Sequence, residues 1–453
     1  MATQEIILSG CSEATSSASR LTTTPALHLH DLLTSAHVHA FKTSTSSLHS
    51  VSYVQTRSGV GGVLMAVQEG KALVNIWAWQ KDQQHLKLHL PEKLSCFSVS
   101  PNGCWAAGGS STGQIYLWEL ASGLLLSSFT AHYRTVTSLT FTNDSHLLLS
   151  ASLDASVHVF LVSRLVDEDD TGRPYGTLGD HTLGIRAVAV GKTAGSSGGR
   201  CWTASDDGTV KIWSLHPPFN LLCTFAFPPA AIPTTLAVDP SERFFYAGTS
   251  QGNVHHVPLF HRRGELGAVA AVGNGFGAST QVDHGVIAVQ SPVTCLALSI
   301  SATHLLTGTQ SGEIHIHALP SHQHLRTITS HAAPITHLST LTRPLDLIGT
   351  AFRPEHWPVA EVRPFERLRV GRAARDVQEV TVILRPSGTR ARLERLRAPI
   401  VSSMSPTSQV AENDVGEKVA SLEMENKKLK ASLERALKVN EKMWSGIVDM
   451  KTV

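Results

Sequence analysis

Two short motifs in the sequence match the pattern that presents a catalytic serine in hydrolases. They are residues 109–113 and 248–252, and each has the form Gly-X-Ser-X-Gly. A nucleophile of this kind needs a strand, a sharp turn and a helix, which together lift the serine above a parallel sheet. Both motifs instead begin nine residues before the end of an alternating apolar segment, and Gly308 has the same position before a third segment. We therefore predict hairpin turns at these motifs and no catalytic residue.

Histidine is frequent, with 24 residues in 453, and several histidines occur two positions apart. Residues two apart on a strand share a face, so such a pair could supply two metal ligands. No cysteine or carboxylate accompanies these pairs at the spacing of a zinc site. We therefore predict histidines on polar strand faces and in turns, with no bound metal or cofactor. The pairs are His28 with His30, His37 with His39, His315 with His317, and His322 with His324.

The composition narrows the class of protein. Hydrophobic residues make up 42% and charged residues 16% of the chain, which favours a sheet-rich globular body over a disordered one. The net charge of +2 gives the molecule as a whole no attraction to polyanions. The six cysteines include no C-x-x-C pair, so we expect reduced thiols. We find no signal sequence and no run of about 18 apolar residues, and so expect an intracellular protein without a membrane span.

A repeat of roughly 40 to 45 residues organises most of the chain. Six segments alternate apolar and polar residues, and their ends are 41, 42, 53, 44 and 60 residues apart. Most of them follow a small-residue turn of the hairpin type, in which glycine takes a positive φ without strain. The period predicts blades of four antiparallel strands, with two loop insertions. The segments end at Trp77, Trp118, Phe160, Trp213, Val257 and His317.

Material from both ends of this repeat is needed to close a ring of blades. Residues 331–338 begin one more blade, and residues 379–384 form a strong predicted strand in it. Three N-terminal strands complete that blade, because pairing the two ends removes exposed sheet edges. They are predicted at 5–8, 26–30 and 37–41. We predict an all-β, seven-bladed propeller over residues 1–398, with six blades as the alternative.

These blades resemble those of the WD-repeat family. In that family a histidine before the first strand, a serine on the second, an aspartate in the next turn and a tryptophan on the third form a hydrogen-bonded set. The resemblance implies two such sets in this chain. One consists of His181, Ser205, Asp207 and Trp213. The other consists of His132, Ser152 and Asp154, with Phe160 at the tryptophan position.

Arginine is concentrated near the end of the predicted propeller. Residues 353–397 contain eleven arginines, six acidic residues and no lysine, a surplus of 11 − 6 = 5 positive charges. Guanidinium groups suit phosphates and bidentate recognition, so a surface for RNA or for an acidic partner is one interpretation. The other is an elaborated last blade whose arginines pair with its own acids. The candidate surface comprises Arg363, Arg367, Arg369, Arg372 and Arg375.

A linker with serine and proline, residues 399–409, separates the propeller from a predicted coiled-coil α-helix over residues 410–450. Apolar residues recur there at heptad positions a and d, and asparagine occupies two of the a positions. This pattern favours a parallel two-stranded coiled coil, and therefore a homodimer. A single amphipathic helix lying in a partner's groove is the alternative. The seam consists of Val419, Leu422, Asn426, Leu429, Leu433, Ala436, Asn440 and Met443.

Several motifs occur in an order that resembles the pre-rRNA-processing WD-repeat family, a subunit of the complex that matures the large ribosomal subunit. They are residues 5–10, 95–113, 131–137 and 335–347, followed by the coiled coil. The resemblance implies a non-catalytic scaffold in the nucleolus and nucleoplasm that acts in rRNA spacer removal. The partners it implies are a helical-repeat scaffold subunit, a further subunit, the pre-ribosomal particle and an AAA-type ATPase.

Other functions are compatible with the same fold, because a propeller does not dictate function. A WD-repeat adaptor in another nuclear assembly, for ubiquitin ligation, signalling or replication licensing, is the alternative. An enzyme is not predicted, since the motifs that resemble nucleophile sites coincide with hairpin turns.

Overall fold

The described residues of the computed structural model form seven antiparallel sheets of four principal strands. The first strand of each sheet contacts the first strands of the sheets on either side, and the last sheet contacts the first. This part of the chain is therefore an all-β, seven-bladed propeller, as the repeat predicts. It comprises residues 4–12, 26–42, 45–54, 62–167, 172–192, 199–263, 268–272, 278–282, 285, 287–344, 347 and 362–367.

Six blades follow one another along the chain and are numbered here 1 to 6. Blade 1 consists of Ser46–Val54, Val63–Gln68, Leu73–Ala78 and Leu86–His89. Blade 2 consists of Leu94–Val99, Trp105–Ser110, Gln114–Glu119 and Leu125–Thr130. Blade 3 consists of Val136–Phe141, Leu147–Ser152, Val157–Leu161 and Gly176–Leu178.

Blades 4 to 6 continue this order. Blade 4 consists of Ile185–Val190, Arg200–Ser205, Thr209–Ser214 and Leu221–Ala226. Blade 5 consists of Pro233–Val238, Phe244–Thr249, Asn253–Pro258 and Ile287–Ala288. Blade 6 consists of Val293–Leu298, His304–Thr309, Ile314–Ala318 and His324–Ile328. All six segments predicted from the repeat are third strands of these blades.

Blade 7 joins the two ends of the repeat. Its strands, in order from the first, are Ile335–Thr342, Glu5–Cys11, Ala26–Asp31 and His37–Lys42. The three N-terminal strands predicted from the sequence are therefore confirmed. Leu8 shows how the closure is made, since it pairs with Ser339 on one side and with Leu29 on the other. The predicted strand 379–384 and the predicted helix 410–450 lie outside the described residues.

The core of the described residues consists of seven apolar clusters, and each of them lies between two neighbouring blades. Successive side chains of a strand point to opposite faces of the sheet. Because each blade has a neighbour on both faces, apolar side chains on either face are buried. Between blades 4 and 5, for example, the fully buried Trp202 and Phe245 belong to one cluster. Between blades 7 and 1, Leu8 packs in one cluster with Trp77 and Trp79. Stability is thus distributed around the ring.

The Gly-X-Ser-X-Gly motifs are hairpin turns, as predicted. The first motif ends the strand Trp105–Ser110 and leads into the antiparallel strand Gln114–Glu119. Its last residue, Gly113, has a φ of +88°, and a Cβ atom there would lie 2.0 Å from the His132 carbonyl oxygen. The second motif makes the equivalent turn in blade 5, where Gly252 has a φ of +87°. Neither turn leads into the helix that a nucleophile elbow requires.

Two insertions add elements that the repeat does not predict. After the third strand of blade 3 comes a short helix, Val162–Val166. After the third strand of blade 5 comes a hairpin, Phe260–Arg263 with Ala268–Ala271, and then a strand, Ala278–Gln281, which adds to the edge of blade 4 in parallel. Within the described part of the chain, no helix has the length and apolarity needed to cross a membrane.

Candidate functional site

Four polar side chains of blade 4 form a hydrogen-bonded set. His181 precedes the first strand, and its Nδ1 lies 2.9 Å from Oδ2 of Asp207 in the second turn. Its Nε2 lies 2.7 Å from the Thr203 hydroxyl on the second strand. The indole N–H of Trp213, on the third strand, donates to the same hydroxyl at 3.0 Å. Four side chains from four segments are thus tied together across the blade.

Blade 3 contains a second set of the same kind. His132 Nδ1 lies 2.9 Å from Asp154 Oδ2, and His132 Nε2 lies 2.8 Å from the Ser150 hydroxyl. Phe160 occupies the tryptophan position and has no polar group to contribute. The ring of His158, on the third strand, stacks on His132 with centroids 4.4 Å apart. Blade 3 therefore lacks the indole hydrogen bond that Trp213 makes to the Thr203 hydroxyl in blade 4, and its buried histidine is packed against a second imidazole instead.

The prediction of the serine in these sets was wrong by two residues in both blades. Ser205 lies at the turn end of its strand, where its hydroxyl donates to the Leu183 carbonyl and accepts from the Asp207 N–H. Ser152 has the equivalent place in blade 3. The imidazole instead reaches the hydroxyl two positions earlier, which is Thr203 in blade 4. Positions two apart share a strand face, so the sequence pattern alone does not separate them.

The charge state of these sets follows from burial and hydrogen bonding. Burial lowers the pKa of His132, and this outweighs the opposite effect of Asp154, so the imidazole is neutral at neutral pH. Burial raises the pKa of Asp154, but hydrogen bonds from Ser156 and His132 outweigh burial and hold that pKa below its usual range. Because an ionised carboxylate only accepts hydrogen bonds, His132 donates from Nδ1 and accepts the Ser150 hydroxyl at Nε2.

Serine, histidine and aspartate at these distances match the connectivity of a hydrolase triad, so their access to solvent decides their role. A nucleophile has to meet a substrate. Ser150 is 0% exposed, and His132 is 1% exposed. Thr203, the corresponding hydroxyl in blade 4, is also 0% exposed. The arrangement can fix the turn between the second and third strands, and it offers no surface on which a substrate could react.

Removal of Asp207 is expected to destabilise the propeller strongly, whereas removal of its neighbour Asp206 is not. Asp207→Ala leaves His181 buried without its carboxylate, which costs about 2–4 kcal/mol. Asp206 forms an exposed ion pair with Arg186 at 2.8 Å, and such pairs contribute about 0–1 kcal/mol. Urea unfolding of the two alanine variants measures this difference. Equal losses of stability would contradict the role given to the buried set.

Blade 7 has a related pair that the sequence analysis missed. The hydroxyl of Ser9 lies 2.8 Å from Nε2 of His331, across 322 positions in the sequence. The ring of His28 packs edge-on against His331, with centroids 4.7 Å apart. The only signal in the sequence is positional, because His331 precedes the first strand of blade 7 as His132 precedes that of blade 3. Its partner is brought to it by the ring closure.

Many of the remaining histidines share one position of the third strand. In blades 3, 4 and 7, a hydroxyl on the second strand is hydrogen-bonded to the buried histidine that precedes the first strand. The third-strand residue that pairs with this second-strand position is a histidine in four of the blades. The histidines are His28, His158, His255 and His315. The ring centroids of His28 and His30 lie 5.9 Å apart, and those of His315 and His317 lie 6.3 Å apart. In the part of the chain that the structure covers, no three His, Cys, Asp or Glu side chains form a group that could hold a metal.

Two members of the predicted arginine surface fall within the described residues. Arg363 is half-buried, and its backbone N–H donates to the Leu120 carbonyl of blade 2 at 3.3 Å. Arg367 is exposed. The other three, Arg369, Arg372 and Arg375, lie outside the described residues, as does the whole predicted heptad seam.

The ring of four-stranded blades and the buried histidine–aspartate sets define the class as a WD-repeat β-propeller. The family model "WD domain, G-beta repeat" matches residues 80–119, 123–160 and 172–214. These matches cover blades 2 and 3, the first three strands of blade 4 and the last strand of blade 1, and they include both buried sets.

Similar proteins narrow the class to a family. Pre-rRNA-processing protein IPI3 of Yarrowia lipolytica is 38% identical over 65% of this chain and 68% of its own length. Pre-rRNA-processing protein crb3/ipi3 of Schizosaccharomyces pombe is 29% identical over 74% of this chain and 77% of its own. Human WD repeat-containing protein 18 is 29% identical over 65% and 66%. The chain belongs to the family of WD-repeat pre-rRNA-processing proteins.

Proposed function

We propose that this chain is a non-catalytic scaffold subunit of a complex that acts on the pre-ribosome, in rRNA spacer processing and maturation of the large subunit. The observation that carries the proposal is its likeness to proteins named for pre-rRNA processing, at up to 38% identity over 65% of the chain. Work on pre-rRNA takes place where ribosomes are assembled, so we assign the chain to the nucleolus and nucleoplasm.

The buried sets support a scaffold over an enzyme. The hydroxyl, imidazole and carboxylate groups that could do chemistry are used inside blades 3 and 4, where they fix turns. Other molecules can bind at the surface of the ring, where turns are fixed by glycines and by these sets. Rigid turns on a closed scaffold suit binding, because little entropy is lost when a partner docks.

The assembly follows from the family and from the C-terminal sequence. We propose a helical-repeat scaffold subunit and a further subunit as direct partners, with the pre-ribosomal particle and an AAA-type ATPase as the larger assembly. We propose that residues 410–450 pair two copies of the chain, since the heptad seam with two asparagines favours two strands. The arginine-rich segment is proposed to contact RNA or an acidic partner, because guanidinium groups suit phosphate and carboxylate.

One capture experiment tests both the assembly and the pairing. Two differently tagged full-length copies are expressed in one cell, and one tag is used for capture from the extract. Pre-rRNA spacer fragments, large-subunit proteins and the second copy are all expected to co-purify. The same capture with a copy that ends at Gln409 is expected to lose the second copy.

The outcomes separate the hypotheses. Ubiquitin-ligase, signalling or replication-licensing subunits in place of pre-rRNA would replace the ribosome proposal with the adaptor alternative. Retention of the second copy by the shortened chain would show that pairing does not depend on the helix. An unrelated nuclear WD-repeat protein with the same tag serves as the control for abundant RNA.

A further inference from the structure

A short segment that follows blade 2 by more than 200 residues in the sequence is packed onto that blade. The ring of Phe365 stacks on the indole of Trp118, with centroids 5.0 Å apart and an angle of 8° between the planes. Phe365 is only 6% exposed and belongs to the apolar cluster between blades 1 and 2. Val362 packs against the same cluster. We call residues 362–367 the strap.

The backbone of the strap is hydrogen-bonded along the turn between the third and fourth strands of blade 2. The N–H of Arg363 donates to the Leu120 carbonyl at 3.3 Å, and the N–H of Glu366 donates to the Gly123 carbonyl at 2.8 Å. The indole N–H of Trp118 donates to the Glu366 carbonyl at 3.0 Å. Three main-chain groups of the strap are therefore hydrogen-bonded to blade 2, and two of its apolar side chains pack on the cluster between blades 1 and 2.

The need for this contact can be traced to a glycine. In blade 4, the indole of Trp213 donates to the Thr203 hydroxyl. Trp118 has the same place in blade 2, but the residue that corresponds to Thr203 is Gly108, which has no hydroxyl. An indole N–H that is buried without an acceptor is costly. The strap carbonyl supplies the acceptor that blade 2 itself lacks.

A second glycine leaves room for the strap. Gly123 has a φ of +76°, and a Cβ atom there would lie 2.2 Å from the carbonyl oxygen of Pro364. Any side chain would be strained at that φ and would also push the strap away. The groove is thus bounded by an aromatic face, by a turn whose carbonyls accept the N–H groups of the strap, and by a residue small enough for close approach.

We propose that this edge of blade 2 is a docking groove for an extended segment with one aromatic residue, and that the chain fills it with its own residues 362–367. Phe365 is then the positioning residue that ties the polypeptide beyond blade 7 to a second, distant blade. It also fixes the position of two arginines of the arginine-rich segment, Arg363 and Arg367, because they flank it. The proposal does not depend on which particle or partner the propeller serves.

Amide hydrogen exchange of the full-length chain tests the groove. In Phe365→Ala, the amides of Arg363 and Glu366 are expected to exchange about 100-fold faster, because the buried ring that holds them closed is lost. Gly123→Ala is expected to have a similar effect without any change in the strap itself. Trp118→Phe keeps an aromatic face but removes the indole N–H, and a smaller increase of about 5–10-fold is expected. The matched control is Phe260→Ala, which removes an aromatic side chain that is 37% exposed in the hairpin inserted after the third strand of blade 5.

Each outcome decides the matter. Faster exchange confined to the strap and the adjoining turn, with the other blades and the control unchanged, supports a docked segment. Unchanged exchange in Phe365→Ala or in Gly123→Ala would overturn the proposal. Faster exchange throughout all seven blades in both variants would overturn it as well, since the strap would then be part of the common core. An unchanged rate in Trp118→Phe would refute the part given to the indole.

Discussion

Replacement of Leu8 by aspartate is expected to leave the chain unable to fold. Leu8 lies on the second strand of blade 7, is 0% exposed and packs in the cluster that contains Trp77 and Trp79 of blade 1. Loss of the leucine side chain costs about 2–5 kcal/mol. A buried, unpaired carboxylate adds several kcal/mol more, and together these approach the whole stability of a typical domain, about 5–15 kcal/mol.

Soluble yield and circular dichroism measure this effect, and the same blade offers a matched control. Leu33 lies in the turn after the third strand of blade 7 and is 66% exposed. Leu33→Asp should change stability by no more than about 0.5 kcal/mol. If Leu8→Asp unfolded cooperatively at the temperature of the unsubstituted chain, the N-terminal strand would not be what holds the ring closed.

Mild acid is expected to destabilise the propeller through the buried histidines of blade 7. Burial, reinforced by neighbouring imidazoles, lowers the pKa of His30 to about 4 and that of His331 to about 3, from 6.5 in the unfolded chain. Between these values and pH 6.5, the unfolded chain binds protons that the folded chain does not. Stability is therefore complete above pH 6.5 and is lost as the pH falls. At pH 5 each of the two histidines accounts for a loss of about 2 kcal/mol.

Thermal unfolding at pH 7.5 and pH 5 measures the acid effect, and His331→Asn tests its origin. Asparagine stays neutral, so this variant should begin less stable at pH 7.5 but lose less stability between the two pH values. The exposed His216 provides the control, because His216→Asn should leave the acid-induced loss unchanged. An equal loss in His331→Asn and the unsubstituted chain would mean that the acid effect arises elsewhere.

Features that depend on local spacing could be predicted from the sequence. Third strands were found because each alternates with period two and follows a turn of fixed length. Gly113 and Gly252 indicated hairpins because glycine accepts the positive φ that these turns require. The N-terminal strands of blade 7 could be placed because a ring has to pair its two ends.

Individual side-chain contacts between residues far apart in the sequence could not be predicted. Ser9 and His331 are hydrogen-bonded across 322 positions, and no periodicity links two such residues. Nothing in the sequence indicates that Phe365 packs on Trp118. The contact brings the Glu366 carbonyl to the indole N–H, and the need for that acceptor arises because Gly108 has no hydroxyl. The choice between Thr203 and Ser205 was missed for a finer reason. Both lie on one strand face, and only the reach of the imidazole selects between them.

Blade 7 is built from the first and last described strands of the chain, and this affects how the protein folds during synthesis on the ribosome. The strand Glu5–Cys11 emerges early, but its neighbour Ile335–Thr342 is synthesised more than 300 residues later. At about 5–20 residues per second, the early strand waits roughly 15–60 seconds for that partner. During this time its edge is open to pairing with other nascent chains. The ring can therefore close only after residue 342 has been synthesised, and a cell that makes this protein has to shield its first strand until that partner arrives.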